Sequence, residues 1–268
     1  MSLIAVKLLL APSFVVGASL ATRRYGPRFG GLLAGLPVVA GPILLAYALA
    51  HGRSFAASAA AGTLLGLVSL IGFAVVYARL AGRTPWPVSL LAGWACFVAG
   101  TAIFSALTLG PGVALALAAV ALGLGLAWLP RGQAPSGARA RAHPAWDLPL
   151  RAGCAMALVL TLTAISGWLG PQLSGLLTPF PIIATVLSTF THAQRGAQEA
   201  VHLLRSMVTG FGAFALFCFT LAVSLRSLPT AAAFALASAV AIAVQLPGLL
   251  AAATGSRSAA SSARSPGL

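Results

Sequence analysis

Few side chains in this sequence could carry out acid–base or metal chemistry. The 268 residues include only two acids, Asp147 and Glu199, and four histidines at widely spaced positions. Both acids fall at the edges of apolar segments, which argues against a carboxylate relay inside a membrane. The histidines are too dispersed for a metal site, and the H-E-x-x-H, G-x-S-x-G and G-x-x-x-x-G-K-[ST] motifs are absent. We therefore predict that the protein is not an enzyme and uses no metal or cofactor.

Prolines inside apolar segments are the best indication of a functional site. Pro37 and Pro42 lie in the second apolar segment, and Pro179 and Pro181 lie in the seventh. Proline removes a backbone donor and frees a carbonyl, and in lipid that carbonyl needs a partner. Such segments are therefore expected to face protein or a wet cavity. The alternative is a kink that serves packing alone.

Hydroxyls and one imidazole recur near one helical turn apart in the seventh segment, so they share a face. These residues are Thr178, Thr185, Ser188, Thr189 and His192. One interpretation is a stripe that lines a substrate path and suits a neutral polar group such as a sugar. The other is that the hydroxyls bond their own helix or join two helices.

A charged group follows at the start of the eighth segment. Arg195, Glu199 and His202 are spaced four and three residues apart, with Arg205 one turn further on. They are either a solvated helix start, with Glu199 near the positive helix end, or a gate that contacts an anionic head group.

The composition requires a membrane around these residues. Hydrophobic residues make up 59% of the chain and charged residues only 7%, whereas a soluble domain has about 25% charged residues. The apolar runs are long and do not alternate, so the predicted fold is all-α, a polytopic transmembrane bundle. The net charge of +14 is spread over the loops between apolar runs, which indicates membrane orientation rather than nucleic-acid binding.

We predict about nine spans, which also set the domain boundaries. The spans are 2–22, 30–50, 55–79, 86–108, 111–129, 148–168, 173–191, 199–225 and 229–253. Residues 1–130 form a first repeat of five spans, 131–147 a cytoplasmic linker, 148–254 a second repeat of four spans, and 255–268 a disordered tail. Nine spans place nearly all arginines on one side, so the N-terminus is predicted outside and the C-terminus in the cytoplasm.

The sequence repeats itself at a shift of 144 residues. Gly26-Pro27 aligns with Gly170-Pro171, Pro37 with Pro181, Gly52 with Gly196 and Gly66 with Gly210. Five spans precede the second copy, so the two repeats are predicted to be inverted, a common construction of transporters.

The repeated pattern resembles the GlpM (YdgC-like) family of small bacterial inner-membrane proteins. It occurs as Gly31-Leu-Leu-Ala-Gly-Leu-Pro37 and as Gly175-Leu-Leu-Thr-Pro-Phe-Pro181, and the second copy matches better. The resemblance covers approximately residues 26–80 and 170–225 and implies a fused, inverted pair loosely linked to production of envelope polysaccharide. It provides no catalytic residues.

Two functions remain open from the sequence. The first is a small inverted-repeat transporter or flippase-like protein of the bacterial inner membrane, with an unknown polar or lipid-linked substrate. The second is a non-transporting scaffold of envelope polysaccharide production. A polar, water-accessible cavity at the level of Pro37 and Pro181 would favour the transporter, whereas a scaffold would be packed solid there. The expected partners are anionic lipids on the cytoplasmic side, without nucleic acid, and the sequence leaves the oligomeric state open.

Overall fold

The computed structural model describes residues 3–107, 109–131, 146–166 and 179–262, and this part of the chain is helical without strands. The helices are α1 (Leu3–Tyr25), α2 (Pro27–Ala34), α3 (Ala40–His51), α4 (Arg53–Ala81), α5 (Trp86–Ser105), α6 (Pro111–Trp128), α7 (Asp147–Ser166), α8 (Ile182–Arg195), α9 (Ala197–Ser224) and α10 (Thr230–Ser262).

Five of the described helices are long and apolar enough to cross a membrane. They are α4, α5, α6, α9 and the Thr230–Ala252 part of α10. The all-α membrane fold expected from the composition is confirmed at this level, and each of the five lies where a span was predicted. The α10 helix continues to Ser262, so residues 255–262 are helical where the sequence predicted the start of a disordered tail. The expected linker lies largely outside the described residues.

The expected second span, 30–50, is not one continuous helix. It is broken between Ala34, where α2 ends, and Ala40, where α3 begins. Gly35 and Pro37 lie in this break, and Pro37 has no N–H with which to continue the helix. The break therefore follows from proline chemistry, but two helices as short as these had not been anticipated.

Single glycines join consecutive helices at three tight corners. Gly26, Gly52 and Gly196 have φ of 88°, 87° and 94°, a region that side-chain-bearing residues rarely adopt. Gly52 separates α3 from α4, and Gly196 separates α8 from α9. Each corner therefore turns the chain within one residue and packs a short helix beside a long one.

The core is built around α4 and α9, which pack against each other, with α6 against both. Phe73 and Tyr77 of α4 are fully enclosed, as are Leu204 and Met207 of α9. By contrast α5, α6 and α10 expose large apolar side chains such as Val98, which is 58% exposed. In a bilayer those faces meet lipid, and polar helix ends are left at the two ends of the bundle.

Helix α2 approaches α9 at backbone distance. A Cβ at Gly31 would lie 2.5 Å from the carbonyl oxygen of Leu203, and one at Gly35 would lie 2.7 Å from the Cα of Gly210. Gln245 of α10 also donates a 2.6 Å hydrogen bond to the carbonyl of Leu32. The small residues allow this approach, and α2 is thereby fixed to α9 and α10.

Candidate functional site

An open groove lies beside the break between α2 and α3. Its volume is about 560 Å³ and its lining is almost entirely apolar. One wall is formed by the break and α3, and the other by α9 and α10. The lining includes Leu36, Pro37, Val38, Gly41, Pro42, Leu45, Phe217, Phe234, Ala235, Ser238, Ala241 and Ile242. Pro37 and Pro42, which the sequence singled out, thus face a cavity, but it is apolar rather than polar, and Pro181 is not in its lining.

The place that corresponds to the groove at the 144-residue shift predicted from the sequence is filled. A shift of 144 residues takes Ser238 back to Trp94 and Ala241 to Phe97 of α5. There the Trp94 indole donates a 2.9 Å hydrogen bond to Thr185 Oγ1 of α8. Phe180, just before α8, packs edge-on to Phe97 at 5.3 Å between ring centroids. We call this place, defined by Trp94, Phe97, Phe180 and Thr185, the closed crevice.

The difference between groove and crevice follows from side-chain size at four matched positions. The crevice has Trp94, Phe97, Phe180 and Thr185 where the groove has Ser238, Ala241, Leu36 and Gly41. At each of the four positions the groove residue is smaller than the crevice residue. Smaller side chains leave a void between two helices unless their backbones move closer together. At the 144-residue shift predicted from the sequence, the open groove therefore corresponds to a contact that is filled by side chains.

The hydroxyl-bearing face of α8 is packed inside the bundle and does not line the groove. Thr185 accepts from Trp94, and Ser188, which is fully buried, donates to the carbonyl of Thr185. His192 Nδ1 lies 3.3 Å from the hydroxyl of Tyr77 on α4. These hydroxyls serve packing and helix–helix bonds in the described state. Thr189 is half-buried beside them, Pro179 and Pro181 precede α8, and Thr178 lies outside the described residues.

The charged residues around the α8–α9 corner differ in exposure. Arg195 is exposed at the end of α8, while Glu199 and His202 are half-buried in the first turns of α9. Arg205 reaches away from them and donates to the carbonyls of Leu126 and Leu129 at 3.1 and 2.9 Å.

Arg205 therefore caps the C-terminal end of α6, where unsatisfied carbonyls carry partial negative charge. Arg79 of α4 adds a 2.6 Å hydrogen bond to the carbonyl of Trp128 at the same end. The two arginines tie α6 to both central helices.

The densest polar cluster was not expected from the sequence. Asp147 is fully buried at the start of α7, and Arg151, one turn later, donates to it at 3.0 and 3.1 Å. Arg23 of α1 and Gln194 of α8 also donate to Asp147. Arg151 further bonds Gln194 at 3.1 Å and lies 4.7 Å above the ring of Phe190. This Asp147 network joins three helices, α1, α7 and α8.

The protonation of Asp147 is controlled by this network. Burial would raise the pKa of the Asp147 carboxyl, but hydrogen bonds from Gln194 and Arg151, the charge of Arg151 and the bond from Arg23 outweigh it. The pKa of Asp147 therefore lies below its ordinary value, and the carboxylate stays ionised at neutral pH. The sequence contained one part of the signal, the Asp147–Arg151 spacing of four residues, but not the partners from α1 and α8.

Most described arginines gather at one end of the bundle, which we call the basic end. The Asp147 network and the capping of α6 place the ends of α1, α4, α6 and α8 there, together with the starts of α7 and α9. The arginines on these helix ends and adjoining turns are Arg23, Arg24, Arg28, Arg79, Arg83, Arg131, Arg151, Arg195 and Arg205. At the opposite end Arg53 bonds the carbonyl of Leu228, and Arg226 lies in the same turn.

Within the described ranges, no group of three or more His, Cys, Asp or Glu side chains is placed to hold a metal ion. Comparisons with protein-family models, curated proteins and solved structures find no match for the chain.

Proposed function

We propose that this protein is a small inverted-repeat transporter or flippase-like protein of the bacterial inner membrane. The observation that carries the proposal is the pair of equivalent helix junctions, one an open groove and the other a closed crevice. A transporter of this construction exposes its site to one side at a time by rocking one repeat against the other. Such rocking would close the open junction and open the closed one.

The helix boundaries support two repeats. Helices α4 and α5 begin at residues 53 and 86, and α9 and α10 begin at 197 and 230. Both pairs are separated by the same 144 residues as the sequence repeat. The corner glycines Gly52 and Gly196 match at that shift, with ψ of 169° and 172°. Helix α6 has no separate counterpart among the described helices, and a single intervening helix inverts the second repeat.

The two junctions point toward opposite ends of the bundle. Helix α3 runs from the break to His51, next to Arg53, so the groove lies toward the end that carries Arg53. Helix α8 runs from Pro181 to Arg195 at the basic end, so the closed crevice lies toward that end. At the basic end the Asp147 network adds a second closure between α1, α7 and α8.

The charge distribution supports the orientation. Arginine-rich loops stay in the cytoplasm, so the basic end is proposed to be cytoplasmic, with the N-terminus outside. Exposed arginines there, such as Arg24, Arg83 and Arg195, are proposed to lie against anionic lipid head groups. As part of the same proposal, the substrate is related to envelope production, which is what the resemblance to the GlpM family implies.

Cysteine accessibility tests transport against a static scaffold. In a background with Cys96, Cys154 and Cys218 replaced by alanine, single cysteines are placed in reconstituted protein and labelled with maleimides. Ser238→Cys probes the groove and Thr185→Cys the closed crevice. Ala118→Cys, fully buried on α6 away from both, is the matched control. We expect Thr185→Cys to react slowly and only with membrane-impermeant reagent added at the basic end, at a rate at least tenfold above Ala118→Cys.

Equal protection of Thr185→Cys and Ala118→Cys would mean that the closed crevice never opens. That result would refute transport and favour the scaffold.

A further inference from the structure

We infer that the groove binds one acyl chain of an anionic phospholipid, whose phosphate is held by Arg53 and Arg226. This inference names the substrate class of the proposed transporter, and only that role as substrate rests on the proposed function. The binding site itself is argued from the groove's shape, its lining and the charges at its end.

The shape of the groove fits a chain that enters from the bilayer. Leu45 and Ile242 line opposite walls and are 37% and 57% exposed on the lipid-facing surface. The mouth between α3 and α10 therefore opens sideways to lipid rather than to water. A volume of about 560 Å³ is within the range of cavities that hold small ligands, and the lining offers one hydroxyl, Ser238, with no charge. A polar solute would find few partners there.

The closed crevice shows what the groove lacks. In the crevice the side chains of Trp94, Phe97 and Phe180 fill the space between a short helix and its neighbour. In the groove no side chain of the described residues fills that space, and an apolar void loses dispersion contacts on every wall. In a bilayer the molecules available to fill it are lipid chains.

An apolar groove alone would not select a lipid, because lipid tails are as apolar as the groove wall. Selection comes from charge at its end. Arg53 is exposed and donates a 3.1 Å hydrogen bond to the carbonyl of Leu228, and exposed Arg226 lies two residues earlier. Leu228 lies two residues before α10 begins at Thr230, and Phe234 of the groove wall is four residues, roughly 6 Å, further along that helix.

The two arginines therefore stand where the head group of a lipid seated in the groove would emerge. The N-terminal end of α10, which begins at Thr230, adds positive potential at the same place. A chain in an apolar groove with a cationic rim is complementary to a phosphate-bearing lipid.

The test uses phospholipid that carries a photoreactive group in one acyl chain. The full protein is placed in nanodiscs of zwitterionic lipid with a few per cent of photoreactive phosphatidylglycerol, irradiated, and mapped by mass spectrometry. We expect cross-links to concentrate on residues 36–45 and 234–242. Photoreactive diacylglycerol, which lacks the phosphate, should label these segments about tenfold less.

The matched variant fills the groove with the side chains of the closed crevice. Ser238→Trp combined with Ala241→Phe should remove the groove cross-links at least tenfold while labelling of α5 and α6 stays unchanged. Arg53→Gln with Arg226→Gln should keep the groove labelling but abolish the preference for phosphatidylglycerol over diacylglycerol. Helical circular dichroism and gel filtration establish that each variant is folded.

Cross-links spread evenly over all lipid-facing helices, or unchanged in the filled variant, would overturn the inference. Equal labelling by the two lipids in the unmodified protein would overturn the role of the phosphate. The outcome is independent of cysteine accessibility: groove cross-linking without opening of the closed crevice would identify a lipid site on a static scaffold.

Discussion

Removing the charge of Asp147 should lower the free energy of unfolding more than any other single substitution of a charged residue at the basic end. The Asp147 side chain is fully buried, and Arg151 beside it is only 7% exposed. Asp147→Asn leaves the Arg151 guanidinium buried without its counter-charge, and breaking a buried pair in this way costs about 3–5 kcal/mol. Removing an exposed ion pair of a surface arginine would lower the free energy of unfolding by at most about 1 kcal/mol.

The measurement is unfolding of purified protein in mixed micelles, followed by helical circular dichroism as denaturing detergent increases. The matched control is Arg24→Gln, one residue from Arg23 on α1 but exposed and bonded only to its neighbour Tyr25. We expect the control to lie within about 0.5 kcal/mol of the unmodified protein. Arg23→Gln should fall between the two, because Arg23 is 23% exposed.

A double variant separates pairing from packing. Asp147→Asn combined with Arg151→Met removes both charges, so the loss should be smaller than the sum of the two single losses by more than about 1 kcal/mol. Strictly additive losses, or a loss for Asp147→Asn no larger than for Arg24→Gln, would refute the assignment of the network as a stabilising closure of the basic end.

The same network predicts a pH dependence with a defined sign. The folded-state pKa of Asp147 is depressed, so its contribution is fully present above the ordinary Asp pKa of about 3.9. It is lost as pH falls through the lower folded-state value. The stability difference between the unmodified protein and Asp147→Asn should therefore be constant from pH 5 to 7 and shrink below pH 4. A difference that grew on acidification would contradict this explanation.

Two further predictions concern helix contacts. Gly35→Ala should destabilise by about 1–3 kcal/mol, because its Cβ would lie 2.7 Å from the backbone of Gly210. Gly17→Ala on α1, with nothing within 4 Å, should be neutral or stabilising by up to about 1 kcal/mol in the same unfolding assay. Arg205→Met should lower the free energy of unfolding by about 1–3 kcal/mol, because it removes two hydrogen bonds to the end of α6. The control Arg83→Met, at an exposed position, should change it by less than about 0.5 kcal/mol. Equal losses in the two variants would argue against the capping role of Arg205.

The long apolar helices were predictable because a long run of apolar residues is visible directly in the sequence. Helices α5 and α6 begin at Trp86 and Pro111, where the apolar runs begin in the sequence, and the Leu109–Gly112 break between them was expected. The second predicted span failed as a single helix. Hydropathy counts apolar residues across Gly35 and Pro37, whereas the backbone requires hydrogen-bond donors that Pro37 does not have.

The candidate site was predictable only in part. Pro37 and Pro42 could be selected from backbone chemistry alone, and both line the groove. The Asp147 network could not be derived in the same way, because Arg23 and Gln194 lie 124 and 47 residues from Asp147 in the chain. The groove is open because Gly41 and Ser238 are small, whereas the closed crevice is filled because Thr185 and Trp94 are larger. This contrast becomes visible only when the two places are compared in space.

The backbone contact between α2 and α9 has a mechanical consequence. At Gly31 and Gly35 the backbone of α2 lies against the backbone of α9 and the Cβ of Ser206, so we expect α2 to move together with α9. Helix α3 is separated from α2 by the break around Pro37 and packs instead on α4. In the proposed transport cycle α2 would therefore move with α9 and α3 with α4, and residues 35–39 would be the joint between them.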